Sequence, residues 1–326
     1  MGHPHKWKAG FIQAMDAPKY FYIDRSGKVV IDATRFQGAR AFFDNLAAVY
    51  VAGSGWGFLN KSGELQIRPQ FQESLDFSEG IAGVKVNGKW GFIDKKGQIV
   101  IDPLYDMVNS FSEGAAVTLK KNKILLIDKT NKSLFSLDTS EIDMNIQEDN
   151  AKYSEGLVNV YDRGRGRWGY MNRKGVFTIE PKFSNASLFS EGLAKVEVVE
   201  SGEEKIGFIN SSGEFVIPPL FNTDGDFRRN STDFSEGLAS LTEGLAPTVT
   251  KEAAFVYIDR TGRIILPTEF FYAGPFRDGL AVVFDESSGK WGYINKSGAM
   301  IIPLRFHLAD SFSEGLACVA LTNSTE

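Results

Sequence analysis

A motif written eight times limits this chain more than any other feature. Trp90-Gly91-Phe92-Ile93-Asp94-Lys95-Lys96-Gly97 is echoed from Trp56 to Gly63, from Trp168 to Gly175 and from Trp291 to Gly298. Weaker copies begin at Tyr20, Ile124, Ile206 and Phe255. Self-similarity at a fixed period means one small unit that cannot bury its apolar face alone and must stack on its neighbours. The starts at 20, 56, 90, 124, 168, 206, 255 and 291 lie 34 to 49 residues apart. That spacing reads as one unit near 34 residues with insertions around 131–152, 198–205, 222–233 and 241–254. Residues 20–326 therefore form a single repeat domain, not the two domains that length alone suggests. Residues 1–19 are an N-terminal arm or an extra strand.

Each copy has three parts. The aromatic segment is a strand, with Trp90 and Phe92 on one face and Gly91 and Ile93 on the other. A turn follows, with Asp or Asn at its first position in all eight copies and Gly three residues later in seven, as in Asp94 and Gly97. Asp/Asn then Gly is type I turn chemistry, and a hairpin follows from it. The second strand is short and branched, as in Ile99-Val100-Ile101, and Pro103 and its counterparts are expected to stop it. The third part is Phe-Ser-Glu-Gly, intact at 77–80, 111–114, 189–192, 234–237 and 312–315. Tyr153-Ser154-Glu155-Gly156 and Phe276-Arg277-Asp278-Gly279 are variants, and Phe43-Asp44-Asn45-Leu46 reads as the worst copy. Another strand comes next, then a tight link such as Asn87-Gly88-Lys89 back to the Trp.

The unit is strand, turn, strand, turn, strand, and a connector with room for a short fourth strand. No helical period of 3.6 is sustained, and the connectors are too short for a parallel crossover. The fold class is all-β, a repeat protein of eight antiparallel β-units. Eight aromatic hairpins and eight Phe-Ser-Glu-Gly strands allow the last strand to complete the first unit beside Tyr20. An eight-bladed β-propeller, closed this way, hides its end edges. The alternative is an open β-solenoid, for which Phe11–Met15 supplies a first strand and the C-terminal strand is surplus.

Lys89-Trp90-Gly91-Phe92-Ile93-Asp94-Lys95-Lys96-Gly97, followed by a branched strand, Pro and Phe-Ser-Glu-Gly-Leu-Ala, resembles the WG-repeat (KWG-repeat) family of bacterial proteins. The likeness extends over nearly the whole chain, although four copies lack the Trp. It implies a β-repeat scaffold with no general enzymatic activity tied to the motif, and it names no ligand.

Composition agrees with a scaffold. Lys+Arg 36 against Asp+Glu 41 gives a net charge of −5, no electrostatic footprint for nucleic acid. The single Cys318 excludes a disulfide framework and a cysteine zinc cluster, and three histidines offer little to a metal site. No apolar run is long enough to insert in a membrane or to serve as a signal core, so a cytoplasmic location is expected. Phosphate-cradling and nucleophile-elbow patterns are absent. The expectation is no enzyme, no catalytic residue, no cofactor and no metal.

Repeated residues are expected to have structural duties. The tryptophans pack between units, with Gly admitting a neighbouring backbone, in preference to forming sugar-stacking platforms. The repeated Glu bonds local backbone N–H groups in preference to forming a cation-binding ring. Function on such frames tends to lie where the repeat is broken. The candidate binding residues are therefore Arg163, Arg165, Arg167, Arg228 and Arg229 in two basic loops, and Phe135, Glu141 and Asp143 in the first insertion. The expected function is a non-enzymatic interaction scaffold for a protein or peptide partner. A carbohydrate or cell-envelope binding module is the alternative, and an enzyme with a central-channel site is a third. On the loop reading, deleting 139–150 impairs partner capture without unfolding the protein.

Overall fold

The aromatic strand of each repeat is buried on both faces, so its alternation serves two interfaces at once. In the strand Lys89–Asp94, Trp90 and Phe92 join a core cluster with Val108, Phe111 and Ala116 of the next unit. Ile93, on the opposite face, joins Leu46, Phe58 and Ile67 of the preceding unit. Units joined this way on both sides must form a stack. The computed structural model describes residues 18–144, 146, 150–222, 233–242 and 255–321. It is an eight-bladed β-propeller, all-β, with antiparallel pairing throughout the blades.

Blade 2 shows the pattern, with strands Gly38–Phe43, Leu46–Val51, Gly55–Asn60 and Leu65–Phe71 in spatial order. The Phe-Ser-Glu-Gly turn joins the first and second strands, and the Trp begins the third. Blades 3 to 8 follow in chain order, their described strands beginning at Glu73, Met107, Ile142, Asn185, Leu238 and Tyr272; seven blades have four strands, and three strands of blade 7 fall among the described residues. First strands lie toward the axis. Arg40 of the first strand of blade 2 donates from Nη1 to the Ser74 carbonyl in the first strand of blade 3 at 2.9 Å.

Closure rests on blade 1. Its inner strands, Leu308–Ala309 and Ala317–Leu321, come from the end of the chain, and its outer strands, Lys19–Ile23 and Val29–Asp32, from the beginning. Lys19 to Ile23 pair in register with Leu321 to Ala317. The C-terminal strand is thus not surplus, and closing the ring removes the end edges an open stack exposes. Phe11–Met15 lies outside the described residues.

Three devices join each blade to the next. The first is a pair of rings. The third-strand aromatic packs on the motif Phe of the following blade in Tyr22–Phe42, Phe58–Phe77, Phe92–Phe111, Tyr170–Phe189, Phe208–Phe234, Tyr257–Phe276 and Tyr293–Phe312. Centroids are 4.7 to 5.0 Å apart. Such pairs add about 0.5–1.5 kcal/mol each beyond area burial. Tyr22, Tyr170 and Tyr257 also donate their hydroxyls to first-strand carbonyls of the next blade, and Tyr293 to the Asp310 carbonyl just past the first strand of blade 1. At the blade 4–5 interface the corresponding residues are Leu126 and Tyr153, so one partner is aliphatic.

The second device is the motif serine. Ser78, Ser112, Ser154, Ser190, Ser235 and Ser313 each donate to the carbonyl of the motif aromatic of the next blade. The third is the motif carboxylate, which accepts from the N–H of the fourth motif residue of the next blade at all eight junctions. The donors are Asn45, Gly80, Gly114, Gly156, Gly192, Gly237, Gly279 and Gly315, at 2.6 to 3.1 Å. The expectation of structural duty holds, but the bonds are not local. They run from blade to blade and close into a ring.

Four details differ from the sequence reading. Phe42, not Phe43, fills the motif Phe slot of blade 2, because Asp44 and Asn45 occupy the positive-φ pair of the turn. Glu79 and Gly80 show the same pair, with φ of 54° and 89°, the signature of a type I′ hairpin turn. Proline does not stop the outer strands. Leu65–Phe71 and Ile99–Tyr105 run through Pro69 and Pro103, because the register slips there in a bulge that needs no N–H from proline. The extra residues at 198–205 lengthen a hairpin, Leu193–Glu200 with Glu203–Ile209, and do not form a loop. Most of 131–144 is regular too: Ser133–Asp138 is the outer strand of blade 4 and Ile142–Asp143 the inner strand of blade 5. Deleting 139–150 would thus remove a strand and the buried Ile142, Met144 and Ile146.

Candidate functional site

Among the described residues, the tight links between second and third strands lie at the strand ends opposite the motif turns, on one face of the propeller. On this hairpin face, the third strand begins with the Trp slot, flanked by one residue from the second strand and one from the outer strand. Blade 2 fills this row with Tyr50, Trp56 and Phe71, blade 5 with Tyr161, Trp168 and Phe183, and blade 8 with Phe284, Trp291 and Phe306. Blade 4 fills it with Leu119, Ile124 and Leu137, all aliphatic. The Gly after the Trp is also replaced there, by Leu125, and the outer strand pairs through this stretch without the bulge.

Two members of this row, Leu119 and Ile124, border a gap. A cleft of ≈150 Å³ opens between blades 4 and 5. Met107, Leu119 and Ile124 of blade 4 and Ile142 and Ile146 of blade 5 form its apolar lining, and Thr139, Asp143 and Arg163 its polar part. The buried Asn109 anchors the segment that carries the lining residue Ile146. The Asn109 amide donates to the Ile146 carbonyl at 2.8 Å and its oxygen accepts from the Ala151 N–H at 2.7 Å. Those bonds hold the long connector of blade 5 against blade 4.

Two of the residues singled out in sequence therefore meet at this cleft. Arg163 Nη2 pairs with Asp143 Oδ2 at 2.8 Å, with both side chains about half exposed. Glu141 lies beside them, its carbonyl accepting from the Arg163 N–H at 2.9 Å. The other residues are placed elsewhere. Arg165 pairs with Glu180 of its own blade at 2.5 Å, and Arg167 donates to the Gly166 carbonyl. Phe135 belongs to the frame: its ring lies against Gly175 of blade 5, as Ile67 lies against Gly97 between blades 2 and 3. Arg228 and Arg229, with nearly all of 222–233 and 241–254, lie outside the described residues, as do His3 and His5. Sequence reasoning missed Ile124, Leu119 and Asn109. Aligning the eight copies column by column exposes the first two, because the aliphatic row is a departure shared by three columns.

The repeated carboxylates are engaged otherwise. Lys61, Lys129 and Lys296, each following the turn Asp or Asn, bridge to Glu314, Glu79 and Glu236 of the preceding blade at 3.0 to 3.2 Å. Arg173 does the same to Glu113, and Arg260 donates to the Glu191 carbonyl. Among the described residues no group of three His, Cys, Asp or Glu is placed to hold a metal ion, and no helix is long and apolar enough to cross a membrane.

Toward the axis, Arg40 stacks 4.2 Å over the Trp56 ring and lies 3.7 Å from Asp76. Asp310 of blade 1 shares this environment. Burial, reinforced by the charge of Asp76, raises its carboxyl to about 7, and Arg40 opposes the rise.

Comparison with known proteins agrees with the repeat. The family described as "WG containing repeat" matches residues 20–53, 56–90, 90–123, 168–198, 206–244, 257–286 and 291–323. The chain belongs to this WG-repeat family. The match omits 124–167, the stretch that carries Ile124 and Leu137 of the aliphatic row and six of the eight residues lining the candidate cleft. No curated protein matches the chain. Solved structures similar to it include the computationally designed Ika8 protein, at 15% identity and TM-score 0.49 over 84% of this chain and 86% of that one. A eukaryotic initiation factor gives 12% identity and TM-score 0.49 over 90% and 87%. Dipeptidyl peptidase 4 of Porphyromonas gingivalis gives 9% identity and TM-score 0.49 over 81% and 52%. At these levels the likenesses carry no argument about function.

Proposed function

We propose that this WG-repeat protein is a non-enzymatic interaction scaffold that binds a protein or peptide partner on its hairpin face, at the cleft between blades 4 and 5. The observation that carries the reading is the cleft itself. It occurs where the repeat departs furthest from its pattern, and it combines an apolar lining with an exposed Arg163–Asp143 pair at the rim. Apolar pockets with a few fixed polar groups are the usual form of a binding site. The role of repeated carboxylates and serines in blade junctions supports a scaffold rather than a catalyst, because those groups have hydrogen-bonding duties already.

Selection of a random peptide library on the immobilised full-length protein tests the reading. Enriched peptides are expected, and their binding should slow amide exchange at 139–143 and 160–166. Absence of enrichment, or protection confined to the motif-turn face, would overturn it.

A further inference from the structure

The shape of the cleft follows from what the repeat normally puts there. In blades 2, 5 and 8 the Trp is flanked on both sides by aromatic rings, and Trp56, Trp168 and Trp291 pack into the interface with the following blade. Ile124 occupies the same strand position and packs into the interface between blades 4 and 5. The pairing of the row is retained, although the outer strand lacks the bulge: Leu119, Ile124 and Leu137 pair across three strands as Tyr50, Trp56 and Phe71 do. So the frame that holds a ring elsewhere holds aliphatic side chains here, and the space left is ≈150 Å³. An apolar cavity of about that volume takes up benzene in a well-packed protein.

We infer that the cleft between blades 4 and 5 receives an aromatic side chain of the partner protein, seated where the other blades seat their own tryptophan. The occupant is an indole or phenyl group presented by a peptide segment, and Met107, Leu119, Ile124 and Ile142 contact its faces and edges. Met107 adds a sulfur, which favours ring edges. Arg163 at the rim fits the face of a ring that is only partly inserted, as Arg40 fits the face of Trp56 in blade 2. Arg163 and Asp143 at the rim are each about half exposed, so this side of the cleft faces solvent. This assignment rests on the peptide-binding reading above and narrows it to one side-chain class.

Indole is the probe, titrated into the full-length protein and followed by ligand-observed NMR. Saturable binding is expected with Kd of about 1 mM, the range for a fragment of this size. Ile124→Trp restores the residue that four other blades carry, and Leu119→Tyr restores the one found in blades 2 and 5. Each folded variant should lose at least about tenfold in indole affinity. Having two variants keeps the test open where one fails to fold, as judged by its thermal transition. Failure of indole to bind the wild type up to about 10 mM, or unchanged binding in a folded variant, overturns the assignment. Peptides from the library should be rich in Trp, Phe or Tyr and should lose binding to Ile124→Trp. Peptides that bind wild type and Ile124→Trp alike would leave the scaffold reading standing and remove this one.

Discussion

Asp310 is the residue at which charge and burial conflict most openly. Its carboxyl is raised from 3.8 to about 7 by burial first and by Asp76 second, with Arg40 acting the other way. Between those values the folded protein holds a proton that the unfolded chain has lost. Stability is therefore highest below about pH 4 on this account alone, and falls as pH rises through about 7. Thermal unfolding should show the midpoint of the wild type dropping by roughly 2–5 °C more than that of Asp310→Asn between pH 5 and pH 8. Parallel pH profiles for the two proteins would show that the Asp310 carboxyl is solvated or compensated. Nothing in the sequence singled out Asp310, Asp76 or Arg40, because they occupy columns that do not repeat. The residues that do repeat were legible: Asp94 Oδ1 accepts from the Lys96 and Gln98 N–H groups at 2.9 Å, as turn chemistry requires. Their reach was not legible. A Glu that bonds its own turn and a Glu that bonds the next blade leave the same trace in one sequence.

At the scale of the element, the Trp-Gly pair is a device for bulging the outer strand. A Cβ on Gly91 would lie 2.5 Å from the Ile101 carbonyl oxygen and 2.7 Å from Pro103 N, both backbone atoms of the bulge. On Gly207 it would meet the Phe215 ring at 2.8 Å and the Ile217 oxygen only at 3.0 Å. Phe215 is 41% exposed, its only ring contact among the described residues an edge packing on Phe183 at 6.5 Å, so its side chain yields more readily than backbone. Gly91→Ala should therefore cost about 2–4 kcal/mol and Gly207→Ala about 1 kcal/mol, since backbone in a sheet yields less readily than a surface ring. Urea unfolding midpoints at constant m-value measure both. Equal costs would show that the outer strand shifts freely and that the glycine is not needed for its approach. The strands themselves could be read from alternation, and Trp-Gly-Phe placed the third strand correctly. Pro69 and Pro103 misled, because a proline that ends a strand and a proline that sits in a bulge look alike until the register is known. The stretch 131–144 misled for the opposite reason. Without Trp, Gly or Pro to mark it, a regular outer strand read as an insertion.

At the scale of the whole molecule, counting found the eight units but could not separate a ring from an open stack. Neighbouring blades make the same contacts in either arrangement, so each copy of the motif is satisfied whichever way the ends go. What decides is the pairing of Lys19–Ile23 with Ala317–Leu321. Two further bonds, from Ser313 to the Phe42 carbonyl and from the Asn45 N–H to Glu314, extend the blade junctions across the seam. The strand Ala317–Leu321 lies between Leu308–Ala309 and Lys19–Ile23, so blade 1 is held together through it. Removing residues 315–326 splits that blade, takes away the Gly315 N–H that bonds Asp278, and exposes the flanks of blades 8 and 2. A stack with free ends would merely fray there, because solenoid stability is a sum of local units. A ring loses a junction on each side of the damage and the closure that makes the other junctions cooperative. The truncated protein is expected to melt at least about 10 °C lower. Its amide protection should fall in blades 3 to 6 as well as near the seam, as it does when opening is global. Native protection in those distant blades, with loss confined to blades 8, 1 and 2, would mean that each junction stands alone and that closing the ring adds little to the stability of the rest.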